Sequence, residues 1–445
     1  MRFKQVLIFG CGAAALFALP IVASKATQWI SENSVHKAEE HAKAAGVAVA
    51  PEDALAGYQN PEDKDNAAEA VKSILRKLSL PPTNEEFQPS WKSPYKESEA
   101  AVGKWQAKAF KRNIQTNLDE LEGPVRDFQA VLKEFDVAVL RPGWNFHRKW
   151  NEGAAMLLPD AARIKQLVRM LYARALLAAR DHNIPLVRKS FETMLKVGDH
   201  LMTEPLLICQ MVGISCHRTA YTGAVDCMRV APSPELGKAL QELLEKPCPV
   251  EMDWHRTWQM EFASQLASLE LFTSEDGLTK LGIKRKDKVA TRSQRSLNET
   301  RSRVLDQLSF AEMEWKSRPN NAQTAEEMNR KYGDQIYEIL YSYSDVLGML
   351  SGPQESSTVP PKVTDARRRL AYVAIAIVLE GQKSGKLPPA GLRKDMQDPF
   401  GSGPLRLSWQ RRGFTLYSLG ENGADDGGNE NGTEEDIVMR FPFRD

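Results

Sequence analysis

Apolar residues recur at helical spacing through most of the chain between about residue 98 and residue 350. The clearest segment is 160–181, whose apolar side chains fall on one stripe with basic residues away from it. Pro185, Pro205 and Pro234 sit at or near the starts of three such segments, where a missing N–H costs little. The spacing therefore predicts a mainly α-helical fold. Helices are expected over 62–79, 160–181, 185–203, 205–229, 234–246, 250–273, 296–317 and 323–350.

The connections between these segments are short, which predicts that neighbouring helices are antiparallel. The segment lengths suggest helical hairpins resembling tetratricopeptide-type arrays, but no clean 34-residue period is present. We therefore expect an irregular helical-hairpin bundle or short solenoid over 61–350. A basic stretch from Asp276 to Arg295 interrupts it, and this stretch is either a solvated loop or a surface for an anionic partner.

The N-terminus carries an uncharged apolar run from Val6 to Ala23, preceded by Arg2 and Lys4. As a helix this run would be roughly 27 Å long, close to the ~30 Å hydrocarbon thickness of a bilayer. It predicts a single-pass anchor in a bacterial-type inner membrane, with the body outside the cytoplasm. Two alternatives remain: a signal peptide cleaved near Ala26, which would give a secreted protein, or a buried helix of a soluble protein.

Composition leaves the function open. The 445 residues are 42% hydrophobic and 26% charged, as in ordinary folded proteins, and the net charge is +1. Such a balance gives no global attraction to nucleic acid, and no nucleic-acid partner is expected.

The predicted domains are a signal anchor or signal peptide, a juxtamembrane stalk, the helical body, a linker rich in Pro, Ser and Gly, and a C-terminal module. Their ranges are 1–24, 25–60, 61–350, 351–364 and 365–445.

Cysteine usage leaves two possibilities open. Cys209, Cys216 and Cys227 fall in one helical pattern, and Cys248 follows the next. If the two helices form an antiparallel pair, Cys216 and Cys248 lie about equally far from the turn and could form a disulfide. The alternative is four buried free thiols.

The pattern changes after residue 364. An apolar helix is predicted over 365–383, followed by strand-like runs at 405–410, 414–419 and 436–441. The first two runs are separated by a short Arg-Arg-Gly turn and predict a β-hairpin. A small α+β module, with one helix packed on an antiparallel sheet, is therefore expected at the C-terminus.

Between the last two strands lies an acidic loop. Residues 416–438 hold five glycines, three asparagines and seven carboxylates, with no Lys or Arg. Crowded carboxylates repel one another, and a hard cation such as Ca²⁺ relieves the repulsion by taking six to eight oxygen ligands. Glycines let the backbone turn its carbonyls inward. The loop is therefore either a Ca²⁺ site or a solvated acidic loop, and its spacing does not fit an EF-hand.

The stretch Asp398–Val438 resembles the C-terminal region of the major pseudopilin of type II secretion systems. The residues in common are Asp398-Pro399, Gly401, Tyr417-Ser418-Leu419-Gly420, Gly423, Gly427-Gly428 and Asp436-Ile437. In that family the string follows a helix and strands, and the loop binds calcium. The resemblance implies a pilin-like module with a structural Ca²⁺ ion. The ligands expected here are the Leu419 carbonyl together with Asn422, Asp425, Asp426, Glu430 and Asp436.

The chain departs from the family in several places. Position 422 is Asn where the family has Asp, an extra residue occupies 425–426, and the acid after Gly428 could be Glu430 or a later one. In addition, Gly10 is not followed by the Glu that a pseudopilin carries five residues into its N-terminal helix. The chain is therefore not a pilus subunit, and the module is borrowed.

No catalytic motif of zinc, nucleophile-elbow or phosphate-loop type occurs in the sequence. Cys216 and His217, with His200 in the neighbouring helix, are conceivable as a nucleophile and base, but both helices have the pattern of core packing. The aromatic loop 141–147 could line a groove or plug one end of the bundle.

The sequence favours a non-enzymatic, exported, membrane-tethered interaction or scaffold protein with a protein or cell-envelope partner. The alternatives are an accessory component of a secretion or pilus-like machine and an exported hydrolase with an unrecognised site.

Overall fold

The computed structural model describes most of the chain from residue 27 onward. The described residues are 27–55, 58, 60–78, 93–112, 117–156, 158–246, 254–281, 292–318, 327–343, 359–384, 396–411, 413–429 and 436–442.

Fifteen α-helices and three strands are assigned within these residues, and most lie where the apolar spacing predicts them. The helices are α1 27–45, α2 Pro51–Ala54, α3 Ala67–Lys77, α4 Lys96–Arg112, α5 Glu122–Asp127, α6 Gln129–Ala138, α7 Pro159–Arg180, α8 Ile184–Met202, α9 Leu207–Val230, α10 Pro234–Leu244, α11 Trp254–Leu269, α12 Glu275–Lys280, α13 Gln294–Ser317, α14 Asp334–Tyr343 and α15 Val359–Ser384. The strands are β1 Arg406–Gln410, β2 Gly413–Ser418 and β3 Ile437–Pro442. The prediction of a mainly helical fold with a small C-terminal antiparallel sheet is confirmed.

The chain divides into two compact units, each built from separate stretches of sequence. The first unit comprises 1–56, 149–156 and 254–357. The second comprises 57–148, 157–253 and 358–445. The predicted single body over 61–350 is thus shared between two units, because packing joins segments that are distant in sequence and periodicity cannot report such pairings.

The core of the first unit forms where α1, α11, α13 and α14 bury their apolar faces. Its members include Ala38, Ala42, Phe262, Leu266, Val304, Leu308, Ile336 and Leu340. The short 3₁₀-helix Trp150–Ala155 packs on α11 so closely that a Cβ on Gly153 would lie 2.5 Å from the Ser264 carbonyl oxygen. Gly153 also has a φ of 51°, which favours glycine. This close approach accounts for the grouping of 149–156 with a helix more than a hundred residues away.

Three long helices, α7, α8 and α9, form the centre of the second unit. Helices α8 and α9 approach closely at a pair of glycines: a Cβ on Gly213 would lie 2.7 Å from the Gly198 carbonyl oxygen. The His217 side chain covers Gly198, and a Cβ on that glycine would lie 2.6 Å from the imidazole Cδ2. The missing side chains therefore set the distance between the two helices.

The C-terminal module belongs to the second unit. Helix α15 packs against α9 and α10 on one side and against β2 and β3 on the other. The sheet has the order β1-β2-β3 and is antiparallel, with Ser408 opposite Thr415 and Thr415 opposite Arg440. The predicted hairpin and its packing on one helix are confirmed. Arg229 of α9 donates a hydrogen bond to the backbone carbonyl of Arg440 in β3, and thereby joins the module to the helices.

Several predicted boundaries are wrong. The linker 351–364 is helical from Val359 onward, because Pro360 and Pro361 lie in the first turn of α15, where proline is tolerated. The stretch 25–60 was predicted to be a juxtamembrane stalk or a frayed helix, and its described part contains the helices α1 and α2, with Ala38 and Ala42 buried. The stretch 276–295 is not all loop, since α12 and the start of α13 occupy its ends.

Cys216 is a free buried thiol, as are Cys209 and Cys227, while Cys248 lies outside the described residues.

The apolar run 6–23 also lies outside the described residues. Among the helices that are described, none combines the length and the apolar character needed to cross a bilayer. The N-terminal anchor stays a prediction from sequence.

The glycine crossing of α8 and α9 gives a stability test. Replacing Gly213 with Ala inserts a methyl group 2.7 Å from a backbone oxygen, and we expect it to lower the free energy of unfolding by about 1–3 kcal/mol. Gly103 of α4 is the matched control, since no atom lies within 4 Å of the position that its Cβ would take. Gly103→Ala should raise stability by up to about 1 kcal/mol through helix propensity. Chemical denaturation of both variants measures the difference, and equal effects would contradict a tight crossing.

Candidate metal site in the C-terminal loop

The turn that leads into the acidic loop is held by Asp398. This side chain is 4% exposed. One carboxylate oxygen accepts hydrogen bonds from the Phe400 N–H and the Ser418 hydroxyl, and the other accepts from the Leu419 N–H at 2.9 Å. Asp398 therefore fixes the end of β2 and the position of Leu419, one of the expected ligands. This explains physically why the Asp-Pro and Tyr-Ser-Leu-Gly strings occur together.

Three of the expected ligands lie in one exposed turn. The Asn422 amide oxygen accepts from the Ala424 N–H at 2.9 Å, and its amide nitrogen donates to Asp426 Oδ2 at 3.1 Å. Asp425 Oδ1 accepts from the Gly427 N–H at 3.1 Å. Gly427 has a φ of 71°, a conformation that favours glycine. The structure thus brings Asn422, Asp425 and Asp426 together, with their oxygens turned partly towards the loop backbone.

Asp436 closes the loop from its other end and is buried, with 4% exposure. Its Oδ2 accepts from the Gly428 N–H at 2.7 Å, but its Oδ1 is buried with no hydrogen-bond partner among the described residues. Burial raises the pKa of Asp436, and the negative charges of Asp426 and Asp425 also raise it, although backbone hydrogen bonds from Gly428 and Asp426 oppose the rise. The like charges of Asp425 and Asp426 therefore disfavour the ionised form of Asp436.

Asp436 is exceptional among the buried carboxylates of the described residues. The others are Asp136, Asp160, Glu204, Asp226, Glu312, Asp365 and Asp398. Each of these has a Lys or Arg partner or, in Asp398, three hydrogen-bond donors. Asp436 alone among the eight leaves an oxygen unpartnered. Because such an atom costs free energy, an additional electropositive partner would be favourable there.

Two arginines outside the loop approach it, although no pattern in the sequence points to either. The Nε of Arg406 lies 3.5 Å from Asp425 Oδ2, and Arg440 Nη2 donates to the Gly428 carbonyl at 3.1 Å. Arg406 lies in β1 and Arg440 in β3, so only the strand pairing brings them to the loop. They offset part of the acidic charge, although Asp436 Oδ1 accepts a hydrogen bond from neither.

The geometry gives a partial fit to a hard cation. The loop contains carboxylate and amide oxygens of the type that Ca²⁺ prefers, and one of them, Asp436 Oδ1, is buried without a hydrogen-bond partner among the described residues. Within the residues that the structure describes, no three His, Cys, Asp or Glu side chains form a ready-made metal group. Glu430, another expected ligand, lies outside those residues. Among the expected ligands the structure shows a direct contact between Asn422 and Asp426, and the binding of Ca²⁺ stays a prediction.

The conceivable Cys–His nucleophile gains no support from the geometry. Burial raises the pKa of the Cys216 thiol to about 12, so the thiolate that would attack is disfavoured. His217 contacts Asp199, with Nε2 and Oδ1 3.0 Å apart, and its Nδ1 lies 3.1 Å from the Tyr221 hydroxyl. His200 instead pairs its Nε2 with the Val139 carbonyl at 2.9 Å. Both imidazoles are buried and contact neighbouring residues of the helical core.

The aromatic loop fills the end of the bundle. Trp144 is 1% exposed, stacks on His200 with the rings 5.0 Å apart, and donates to Glu204 Oε1 at 2.7 Å. Next to it, the Arg148 guanidinium binds both Glu204 and Asp160. Burial lowers the pKa of Arg148, but the two carboxylates outweigh this and raise it well above its usual value. The cluster is a saturated ion network, which supports the plug interpretation of this loop.

Comparison with known proteins gives no relative: no family model, no curated protein and no solved structure matches the chain.

The turn around Asp398 can be tested without any metal. Asp398→Ala removes the acceptor of three hydrogen bonds, and we expect it to lower the free energy of unfolding by at least about 2 kcal/mol. Asp426→Ala is the control, because Asp426 is exposed and its carboxylate accepts from Asn422, another exposed side chain. It should change stability by about 0.5 kcal/mol or less. Denaturation in the presence of chelator measures both, and an equally small effect of Asp398→Ala would refute the role assigned to this carboxylate.

Proposed function

We propose that the chain is an exported, membrane-tethered helical interaction protein whose C-terminal loop is stabilised by a structural Ca²⁺ ion. The single observation that best supports the calcium part is the buried, unpartnered Oδ1 of Asp436 beside Asp425 and Asp426. The tether rests on the apolar run 6–23 and the basic residues before it. The chemistry of the ion is structural, since its ligands would be spread along one loop that it orders.

Calcium would act on this loop by neutralising it. Asp425 and Asp426 lie on the exposed side and Asp436 on the buried side, so one cation among them would replace three repulsions with attractions. Asn422 and the Leu419 carbonyl would complete the shell as neutral oxygen donors. The loop would then be fixed to β2 through Leu419 and Asp398, and to β3 through Asp436.

A groove in the second unit supports the interaction part of the proposal. It has a volume of about 1090 Å³ and lies between α10 and α15, next to Met396 and Gln397. Apolar side chains such as Tyr372, Val373 and Leu379 alternate with charged ones such as Glu245 and Lys383. A groove lined by both apolar and charged side chains is suited to a protein segment that presents both kinds of group.

The calcium proposal predicts a thermal shift of the full chain. At 10 mM Ca²⁺, about 100 times a Kd of 0.1 mM, binding would add about 2.7 kcal/mol of stability. That corresponds to a rise of several degrees in Tm for a unit of this size, at roughly 2–4 °C per kcal/mol. Differential scanning calorimetry with calcium, magnesium and chelator measures the shift.

Asp436→Asn is the decisive variant for this shift. Asn keeps an acceptor for the Gly428 N–H but removes the buried charge, so the calcium-dependent shift should vanish while the chelated protein keeps or gains stability. Glu421→Gln is the matched control, since it removes one charge from the same loop outside the expected ligand set. It should retain the shift. If the wild-type Tm is the same with calcium and with chelator, the loop is a solvated acidic loop.

The raised pKa of Asp436 predicts a pH dependence. The folded state holds this proton at a pH where the unfolded chain has released it, because the folded pKa lies above the ordinary value of 3.8. In chelator, the contribution of this group therefore favours folding at low pH and is lost as the pH rises through the folded pKa. Calcium binding needs the ionised form, so the calcium-dependent Tm shift should grow from about pH 4 to about pH 7.5. A shift that is constant over this range would contradict ligation by Asp436.

The groove is tested by partner capture from solubilised membranes. Ala376→Trp places a bulky side chain in the groove, whereas Lys238→Trp places the same side chain on the exposed face of α10. We expect the first variant to lose co-purifying proteins that the second retains. Identical capture by both variants would exclude the groove as the interaction surface.

A further inference from the structure

Two large apolar side chains stand exposed in the first described turn of α1. Trp29 is 66% exposed and Ile30 is 60% exposed. The rest of the helix is conventional: Ala38 and Ala42 face the core, and polar residues face outward. Leaving adjacent Trp and Ile side chains in water is unfavourable compared with burying them.

The position of this turn within the first unit follows from the contacts of α1 with α13. Ser31 accepts from Asn298 Nδ2 at 3.3 Å, and the Ser34 and Ser302 hydroxyl oxygens are 3.2 Å apart. Further along, Lys316 donates to the Ala45 carbonyl. Because the paired residue numbers rise together, the two helices are parallel. Trp29 and Ile30 therefore lie at the end of the unit where α13 begins.

The same end of the helix adjoins the predicted tether in sequence. Only five residues separate Ala23, the last residue of the apolar run, from Trp29. The chain can span at most about 20 Å between those two positions, even when fully extended. The headgroup region on each side of a bilayer is roughly 5–8 Å thick, and Trp is enriched there because its ring is apolar and its N–H is polar.

We propose that the first turn of α1 lies in the headgroup region of the membrane, with Trp29 and Ile30 inserted among the lipids. This inference rests on the tether of the proposed function. Near the start of α13, Arg295 pairs with Glu299 at 2.7 Å. The apolar pair supplies an attraction that does not depend on charge, and it sets the orientation of the first unit with α1 leading away from the bilayer.

Depth-dependent quenching tests this placement in the full chain. Single cysteines replace Trp29 in one variant and Glu40 in another, both in a Cys11→Ser background, and each is labelled with bimane. Glu40 is the matched control because its side chain is 67% exposed on the same helix, about 16 Å further along. The proteins are reconstituted into vesicles of phosphatidylethanolamine and phosphatidylglycerol with brominated acyl chains, and signal from the label-treated parent without either cysteine is subtracted.

We expect the quenched fraction at position 29 to exceed that at position 40 by about twofold or more, since only the former would lie within reach of the acyl chains. Equal quenching at both positions, with the protein still retained after carbonate extraction, would overturn the insertion and leave the tether intact. Release of the protein by carbonate, or a chain found cleaved near Ala26, would overturn the tether and the insertion together. Cross-linking between chains at position 29 without quenching would assign the apolar pair to a second copy of the protein.

Discussion

A buried carboxylate must find positive charge or several hydrogen-bond donors, and this requirement organises much of the structure. Arg148 is held between Glu204 and Asp160, and Arg174 binds Asp136 with two hydrogen bonds. The pairs of Arg148 with Glu204 and of Arg174 with Asp136 join different helices or loops that are distant in sequence. These networks specify which helices meet, and breaking either one would leave an uncompensated charge in the core.

The C-terminal module applies the same requirement with backbone groups instead of cations. Asp398 is satisfied by two N–H groups and a hydroxyl, so it holds its turn without a metal. Asp436 is satisfied on one oxygen only. The difference between these two carboxylates is the physical basis of the calcium proposal: one is complete within the protein, and the other has a place for a further partner. Arg406 and Arg440 reduce the repulsion in the loop but bind elsewhere on it.

Local patterns predicted local structure well. The apolar spacing and the prolines located α7 to α11 within a few residues, and the Arg-Arg-Gly turn located the β1–β2 hairpin. The sequence did not predict the contacts between residues that lie far apart along the chain. The grouping of 149–156 with α11 depends on the close approach at Gly153, and the packing of α1 depends on residues near 300. For the candidate site, the acidic residues were evident from composition, but the approach of Arg406 and Arg440 follows from strand register, which a single sequence does not reveal.

The bond from Arg229 to the Arg440 carbonyl affects how the sheet can associate. An unpaired strand edge is a template for another chain, and this bond holds β3, a terminal strand of the described sheet, to α9. Among the described residues, β1 is the other terminal strand and has no pairing beyond β2. A second copy that adds a strand beside β3 would approach a strand already bound to α9, so we expect β1 to be the more accessible edge. Fibrillar growth, which needs strand addition at both edges of the sheet, is thereby disfavoured.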